Sequence, residues 1–561
     1  MGSASRAETV LIGGVSFGSA AVLSAAALAW LAGALHPWVS VLSLAAGAVA
    51  AFVGARQAKG AGEPWTPWEW LAVGAFALVS LRQFLWIVFE RDGALLTLLP
   101  NNYGDLPLHW TYIQQLASGR HFWPENPILT HERLRYPVGV DLLTAVFVRL
   151  GASLPLTLEA TGLVCSGLAA LALRRWGGAF AVAGFLFCGG LAGFASIWGL
   201  RLMDVDVHVA WKNLYLALFV PQRGFLLALP AGLVLLSSWR DRLLREERGL
   251  PRWVEALLWG SLPLVHLHTF AFVSLVFATW TAASGRWREG LISVGHALVP
   301  AAWGVLLVTG GPGTARLVGW APGWVIGDQN PALFLATNFG FWLLLVAAAL
   351  VLAVRARRRE PLLLLVPSLA LFGLLFFVRV APWAWDNTKV MLWCLVVMLP
   401  ALDGLVLARL RPALRAAALV LLFASGFASV LWASIGRLPR LEVLNLAEYV
   451  GVCEALAKTP TTRVATLQTF NHPVALCGRP LVAGYAGHLW SHGLDASRVE
   501  ARLRRMMLGE PGWREDAEAL GASHVFWGPR EDSAFAASTR PWEALGPPAA
   551  SGSWGALYRL D

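Results

Sequence analysis

Val10-Leu-Ile-Gly-Gly-Val-Ser-Phe-Gly-Ser-Ala-Ala-Val-Leu-Ser-Ala-Ala-Ala-Leu-Ala-Trp-Leu-Ala-Gly33 is an apolar run without a single charge. A helix of about 20 such residues, rising about 1.5 Å per residue, crosses the roughly 30 Å hydrocarbon layer of a bilayer. Ala332–Val354 repeats the pattern, and Ala413–Trp432 does so with a single charge, Arg415, near its start. Of the 561 residues, 57% are hydrophobic and only 14% charged, with a mean hydropathy of +0.59. A soluble domain carries about 25% charged residues. A wholly soluble enzyme is therefore excluded, and the chain reads as a polytopic membrane protein.

Its net charge of +10 is uneven. From Gly436 to Asp561 the chain holds 13 basic and 13 acidic residues, so the whole excess lies in the first 435. Most of it falls in short loops: Arg56/Lys59, Arg174/Arg175, Arg240 to Arg252, Arg286/Arg288, Arg355 to Arg359 and Arg409 to Arg415. Basic residues beside spans are retained on the cytoplasmic side. The charge is thus a topology signal, and no nucleic-acid partner is needed to explain it.

These clusters thread the chain from a cytoplasmic amino terminus. Val10–Gly33 goes out, Trp38–Ala55 returns, and Trp68–Phe89 goes out to a long external loop over 90–136. Tyr136–Leu150 reads as a helix at the outer surface. Leu154–Leu173 enters, Ala179–Trp198 exits and Phe219–Trp239 enters. Glu255–Ser284 is flanked by arginines at both ends, so it goes in and back, with Pro263, His266 and His268 at the reversal. Leu291–Thr309 exits, Ala332–Val354 enters, Pro361–Val378 exits, Val390–Leu407 enters and Ala413–Trp432 exits. The count is 11 spans, or 13 if the histidine segment crosses fully.

The expected architecture is mainly α: a transmembrane domain over 1–435 and a small extracytoplasmic α/β domain over 436–561. In the latter, Arg463–Phe470, Pro480–Gly484 and His524–Trp527 read as strands, with helices from an Asp495 cap to Met507 and over Trp513–Leu520. Cys453 and Cys477 are the two cysteines of this region. They can pair in an oxidising compartment, which would contribute about 3 kcal/mol. Cys165, Cys188 and Cys394 lie in spans as small apolar side chains. Gly14-Val-Ser-Phe-Gly18 matches GxSxG only inside an apolar span, a chance match.

The external loop carries the chemistry: Asn101-Asn-Tyr-Gly-Asp105-Leu-Pro-Leu-His109-Trp, then Glu125-Asn126, then Arg133-Leu-Arg135-Tyr136-Pro137. Leu108, Tyr112, Ile113 and Leu116 recur at helical spacing, so Asp105 is expected at a helix N-terminus, as a cap or as a functional carboxylate. Asp204-Val-Asp206-Val-His208 offers hard oxygens and an imidazole to a divalent cation, Mg or Mn. Gln222 and Arg223, Arg379, and Asp386-Asn387-Thr-Lys389 fall at the same level. Arg223, Arg379 and Lys389, one of only four lysines, are candidates for the phosphate of a membrane lipid. His266 and His268 would line a cavity at membrane depth if their segment reverses there.

Together these residues resemble a known superfamily. Gly104-Asp-Leu-Pro-Leu-His109, Gly119, Pro124-Glu-Asn-Pro127 and Leu134-Arg-Tyr-Pro137 are similar to the first external loop of bacterial type C (GT-C) membrane glycosyltransferases. That superfamily includes oligosaccharyltransferases, protein O-mannosyltransferases and aminoarabinose transferases. Pro221-Gln-Arg-Gly224, Pro263 to His268, Trp385 to Lys389, Asn471-His-Pro473 and Gly484-Tyr485 resemble an uncharacterised branch of it. The resemblance implies an enzyme of the bacterial inner membrane. It would move sugar from a polyprenyl-phosphate donor to a saccharide, lipid or protein acceptor outside the cytoplasm. It also implies Asp105 as base or metal ligand, Asp204 and Asp206 as the second acidic motif, and His109, Tyr136, Gln222, His266, His268, Asp386 and Asn387 around them. The single first-loop acid and two extra helices before it depart from the superfamily pattern. A lipid-linked saccharide flippase and a non-catalytic relative are the competing readings.

Overall fold

The structure is a computed structural model that describes residues 3–58, 64–310, 318–381, 383–436, 438–460 and 462–560. Lys59, one of the basic topology residues, lies outside them. The chain is mainly helical. Among the described residues, seven helices are long and apolar enough to cross a membrane, or eight if one bent pair counts as a span.

Ser3–Ala32 and Pro37–Ala55 form an antiparallel pair in close backbone contact, with Gly54 against Ser16 and Gly13 against Ala51. Pro67–Phe84 starts at a capping box in which Thr66 and Glu69 satisfy each other's backbone N–H groups. It ends five residues before the expected Phe89, which instead opens a hairpin, Phe89–Arg91 with Ala94–Thr97. Strand Leu441–Asn445 adds to that hairpin, so the external loop and the carboxy-terminal region share one three-stranded sheet.

The basic clusters gather at one end of the bundle. Arg174 pairs with Glu69 at 3.1 Å, Arg240 with Glu360 at 2.6 Å, Arg242 with Glu255 at 2.8 Å and Arg415 with Asp403 at 3.1 Å. Arg175 pairs with Glu8 on the first helix. Loops far apart in sequence are therefore held at one level, the geometry that the charge pattern requires.

Two reversals follow from local chemistry. At Gly177–Gly178 the long helix Leu154–Leu186 breaks, and Gly178 takes φ 63°, open to a residue without Cβ. Gly162 packs against Phe84 and Arg174 pairs with Glu69, yet Phe185 comes back to Phe76 at 6.4 Å, so the chain doubles back there. At His266 (φ −160°, ψ 100°) helix Arg252–Val265 gives way to Leu267–Ser284. Trp259 donates to Ser274 and stacks near Phe277, so these two helices run antiparallel as a hairpin with both flanks at the arginine end.

Three expectations need correction. Ala332–Val354 is not one straight span: Pro331–Phe339 and Phe341–Arg355 meet at 90°. The corner is Gly340 at φ 52°, braced by Leu191, whose N–H bonds Thr337. Tyr136–Leu150 does not lie on the surface. Its helix, Gly139–Arg149, is sealed under Pro100–Ala117 and against the first helix and Arg223–Trp239. The outward run expected over Ala179–Trp198 comes in two pieces. Ala179 to Leu186 carries the chain partway, the short helix Gly193–Trp198 packs on the middle of Pro412–Ile435 through Gly193 and Ser425, and a widened turn at Tyr215–Phe219 resumes the climb.

In the carboxy-terminal region the sheet order is Val464–Ala465, His524–Trp527, Gly555–Arg559, Ala550–Gly552, the first pair parallel and the others antiparallel. Pro480–Gly484 is extended between Val464 and loop residues 127–130, bonding both. Asp495 accepts from Ser497 ahead of helix Ser497–Leu508, and Trp513–Leu520 is a helix with the expected ends. Cys453 and Cys477 are joined by a disulfide.

Candidate functional site

Helix Pro100–Ala117 organises the site. It begins five residues before Asp105, so that carboxylate is not a cap but lies in the second turn. Asp105 and His109 are four residues apart and share one helix face. Asp105 Oδ2 accepts from Gln222 Nε2 at 2.9 Å. His109 Nδ1 lies 2.8 Å from Asp141 Oδ2. Tyr136 meets the His109 ring at 5.9 Å and the His492 ring at 4.7 Å.

Other elements converge on the same point. Helix Thr388–Leu405 brings Lys389, whose Nζ lies 2.7 Å from Asp386 Oδ1. The hairpin tip brings His266 and His268, with rings 5.5 Å apart. The carboxy-terminal region contributes His488, which faces the backbone of Gly104, and His492. Lys389 is within electrostatic reach of Asp105, His266, His268 and His492 at once.

Burial dominates the electrostatics outside the spans. It pushes the Asp105 carboxyl above its usual range, while His109 and Lys389 pull it back. It pushes the Tyr136 phenol well up, reinforced by Asp105. It pushes His488 down to about 4 and His492 to about 3, so both imidazoles are neutral at pH 7. Two neutral histidines thus roof a carboxylate that faces a single lysine.

A tight gap with no room for a water molecule lies beside them, lined by Leu218, Gln222, Phe225, His266, Lys389 and Leu392. His266 fixes its own tautomer there. Its Nδ1 accepts from the Thr269 N–H and faces Thr269 Oγ1, which itself receives the Trp393 Nε1–H. The ring proton therefore sits on Nε2, a buried donor with no hydrogen-bond partner among the described residues. An orphan N–H next to an ammonium is an anion's environment. Along the same hairpin helix, Phe272, Leu275, Val276 and Thr279 form one wall of an apolar groove of about 270 Å3 whose other wall is Pro367 to Leu374.

Several expected residues do not join this point. Asp206 accepts from Ser429 at 2.8 Å and from the Asn213 N–H at 3.2 Å, against the body of Pro412–Ile435. Asp204 accepts from the Asp206 N–H at 3.0 Å. The side chain of His208 lies outside the described residues. Both oxygens of Asp206 already hold hydrogen bonds, and among the described residues no three metal-ligating side chains cluster. No step is derived through a divalent cation. Arg223 is 1% exposed and faces inward, donating to Thr144 at 2.9 Å beside Asp141. Arg379 is exposed in a short ribbon with Gly319. Asn387 pins the loop before it by accepting from the N–H groups of Val380 and Ala381.

Asp141, His488 and His492 were not anticipated. A lone carboxylate inside the apolar run Val138–Val148 is the signal for Asp141, because a buried charge needs a partner. For the histidines the signal is their four-residue spacing just after Gly484-Tyr485.

No family model matches the chain, and no curated protein matches it. Among solved structures the chain is similar to the apo oligosaccharyltransferase of Archaeoglobus fulgidus, at 14% identity and a TM-score of 0.42. It is also similar to the oligosaccharyltransferase AglB of that organism in complex with an inhibitory peptide and a dolichol-phosphate, at 13% identity and a TM-score of 0.41. Each likeness covers 82% of this chain and 69% of the other.

Proposed function

We propose that this protein is a GT-C-type membrane glycosyltransferase that moves a sugar from a polyprenyl-phosphate donor to an acceptor hydroxyl outside the cytoplasm. The observation that carries the reading is the arrangement about Gln222, which donates to Asp105 and shares a tight gap with Lys389 and with His266, whose Nε2–H has no partner among the described residues. A group-transfer site needs such a pair: a base for the attacking hydroxyl and fixed positive charge for the leaving phosphate.

Asp105 takes the acceptor proton as the acceptor oxygen bonds to the anomeric carbon. The bond from that carbon to the phosphate oxygen breaks, and its electron pair leaves on the phosphate. Lys389 and the His266 N–H receive the developing charge, and Asp386 keeps the ammonium oriented. The groove beside Phe272 and Val276 suits the isoprenoid chain, since it follows the same helix away from His268. In this reading the amino terminus is cytoplasmic, residues 1–435 lie in the bacterial inner membrane and 436–561 outside it.

The test uses purified protein in vesicles with polyprenyl-phosphate sugars labelled in the sugar. Transfer of label to an acceptor, lost in Asp105→Asn and Lys389→Gln, is the expected result. Movement of the intact labelled lipid between leaflets, without transfer, would replace the enzyme with a flippase.

A further inference from the structure

Beneath Asp105 lies a buried chain of polar groups with no evident structural reason. Asp141 and His109 come from different helices, are 1% and 2% exposed, and meet at 2.8 Å. Arg223, 1% exposed, places its Nε 3.9 Å from the second Asp141 oxygen and donates to Thr144, one helical turn further on. Burying three such groups to join helices is an expensive alternative to apolar side chains of the same volume, which often hold a fold as well or better. Neither Asp141 nor Arg223 lines the gap, and Asp141 meets the helix that carries Asp105 through His109.

We infer that Asp141 is a positioning residue: it holds the Nδ1–H of His109 so that the Nε2 lone pair is free to accept the acceptor proton after Asp105. This rests on the transfer reading above. A carboxylate hydrogen-bonded to Nδ1 selects the tautomer and stabilises the imidazolium that forms when Nε2 is protonated. The proton passes from the acceptor hydroxyl to Asp105 and then to His109 Nε2, which regenerates the Asp105 carboxylate. His109 then releases it to water or to the departing phosphate. Asp141 keeps accepting the Nδ1–H throughout, held beside Arg223 and in the first turn of helix Gly139–Arg149, where backbone N–H groups favour negative charge.

The experiment compares wild type, Asp141→Asn, Asp141→Glu and His109→Gln in the vesicle transfer assay, with thermal unfolding of each. Asp141→Asn and His109→Gln should each lower kcat by about 10²–10⁴-fold, the range for a lost proton carrier, with donor KM within about twofold. The double variant should be no worse than either single one, and Asp141→Glu should recover part of kcat. Unchanged kcat in Asp141→Asn overturns the inference, as do losses that multiply in the double variant. If Asp141→Asn does not fold, His109→Gln alone decides, since full kcat there is incompatible with a second carrier. Absence of transfer by the wild type overturns the enzyme reading, and this inference with it.

Discussion

At the scale of single residues, what the proposed reaction asks of Asp105 comes from its neighbours rather than from its own chemistry. A carboxylate in open water ionises near pH 4. Burial lifts Asp105 above that range, while Gln222, His109 and Lys389 limit the rise. The acid limb of kcat/KM should therefore lie above about pH 4, because the base must be ionised to accept a proton. Asp105→Asn should lower kcat by about 10²–10⁴-fold and remove that limb, as read by a pH–rate profile in vesicles. The sequence identified Asp105, Gln222 and Lys389 as residues of the right kind near the right level. It did not separate them from Asp204, Asp206 and Arg223, because all six are polar groups near the ends of apolar runs. Which of them face one gap depends on helix rotation, and hydropathy does not encode rotation for a helix that is apolar all round.

At the scale of elements, the roof over the site is the part most sensitive to acid. His488 and His492 are held neutral, with pKa values pushed to about 4 and about 3. Groups facing them include His109, Asp386 and Lys389. In the unfolded chain a histidine protonates near 6.5. Between about 6.5 and 4 the unfolded segment thus binds more protons than the docked one, so docking weakens as pH falls. Hydrogen exchange at 485–493 should be slow above pH 6.5 and accelerate progressively down to pH 4, after correction for intrinsic rates. His488→Asn with His492→Asn should flatten that dependence.

The bend at Gly340 is a second element-scale feature. Its φ of 52° and ψ of −127° suit glycine alone, and an added Cβ would meet Leu191 at 3.0 Å. Gly340→Ala should destabilise the protein by about 1–3 kcal/mol, visible as a lower melting temperature in detergent. Hydropathy reads 332–354 as one span because a right-angled corner between two apolar helices leaves the average unchanged.

At the scale of the molecule, the two ends differ in a way that can be tested directly. Arginine ion pairs gather at one end, and the disulfide-bearing region lies at the other. A membrane-impermeant thiol reagent on intact cells should label Ser551→Cys but not Arg357→Cys, both of which are exposed. The Cys453–Cys477 bridge closes a stretch with a sequence separation of 24, and removing it with Cys453→Ala and Cys477→Ala should cost about 3 kcal/mol. Calorimetry of the variant should show a lower unfolding temperature for the carboxy-terminal region.

The sequence by itself determined that this chain carries helices of membrane-crossing length, that it turns back near Arg174/Arg175 and His266, and that Cys453 can find Cys477. Those outcomes follow from local properties: apolar length, loop charge and a pair of thiols outside the apolar runs. Only the tertiary structure decided that Asp141 supports His109, that Arg223 faces inward, that Asp206 binds Ser429 and that His492 comes from beyond residue 435 to cover Tyr136. These pairings join positions tens to hundreds of residues apart. Each depends on which face of a helix meets which neighbour, a property of packing that no window of sequence contains.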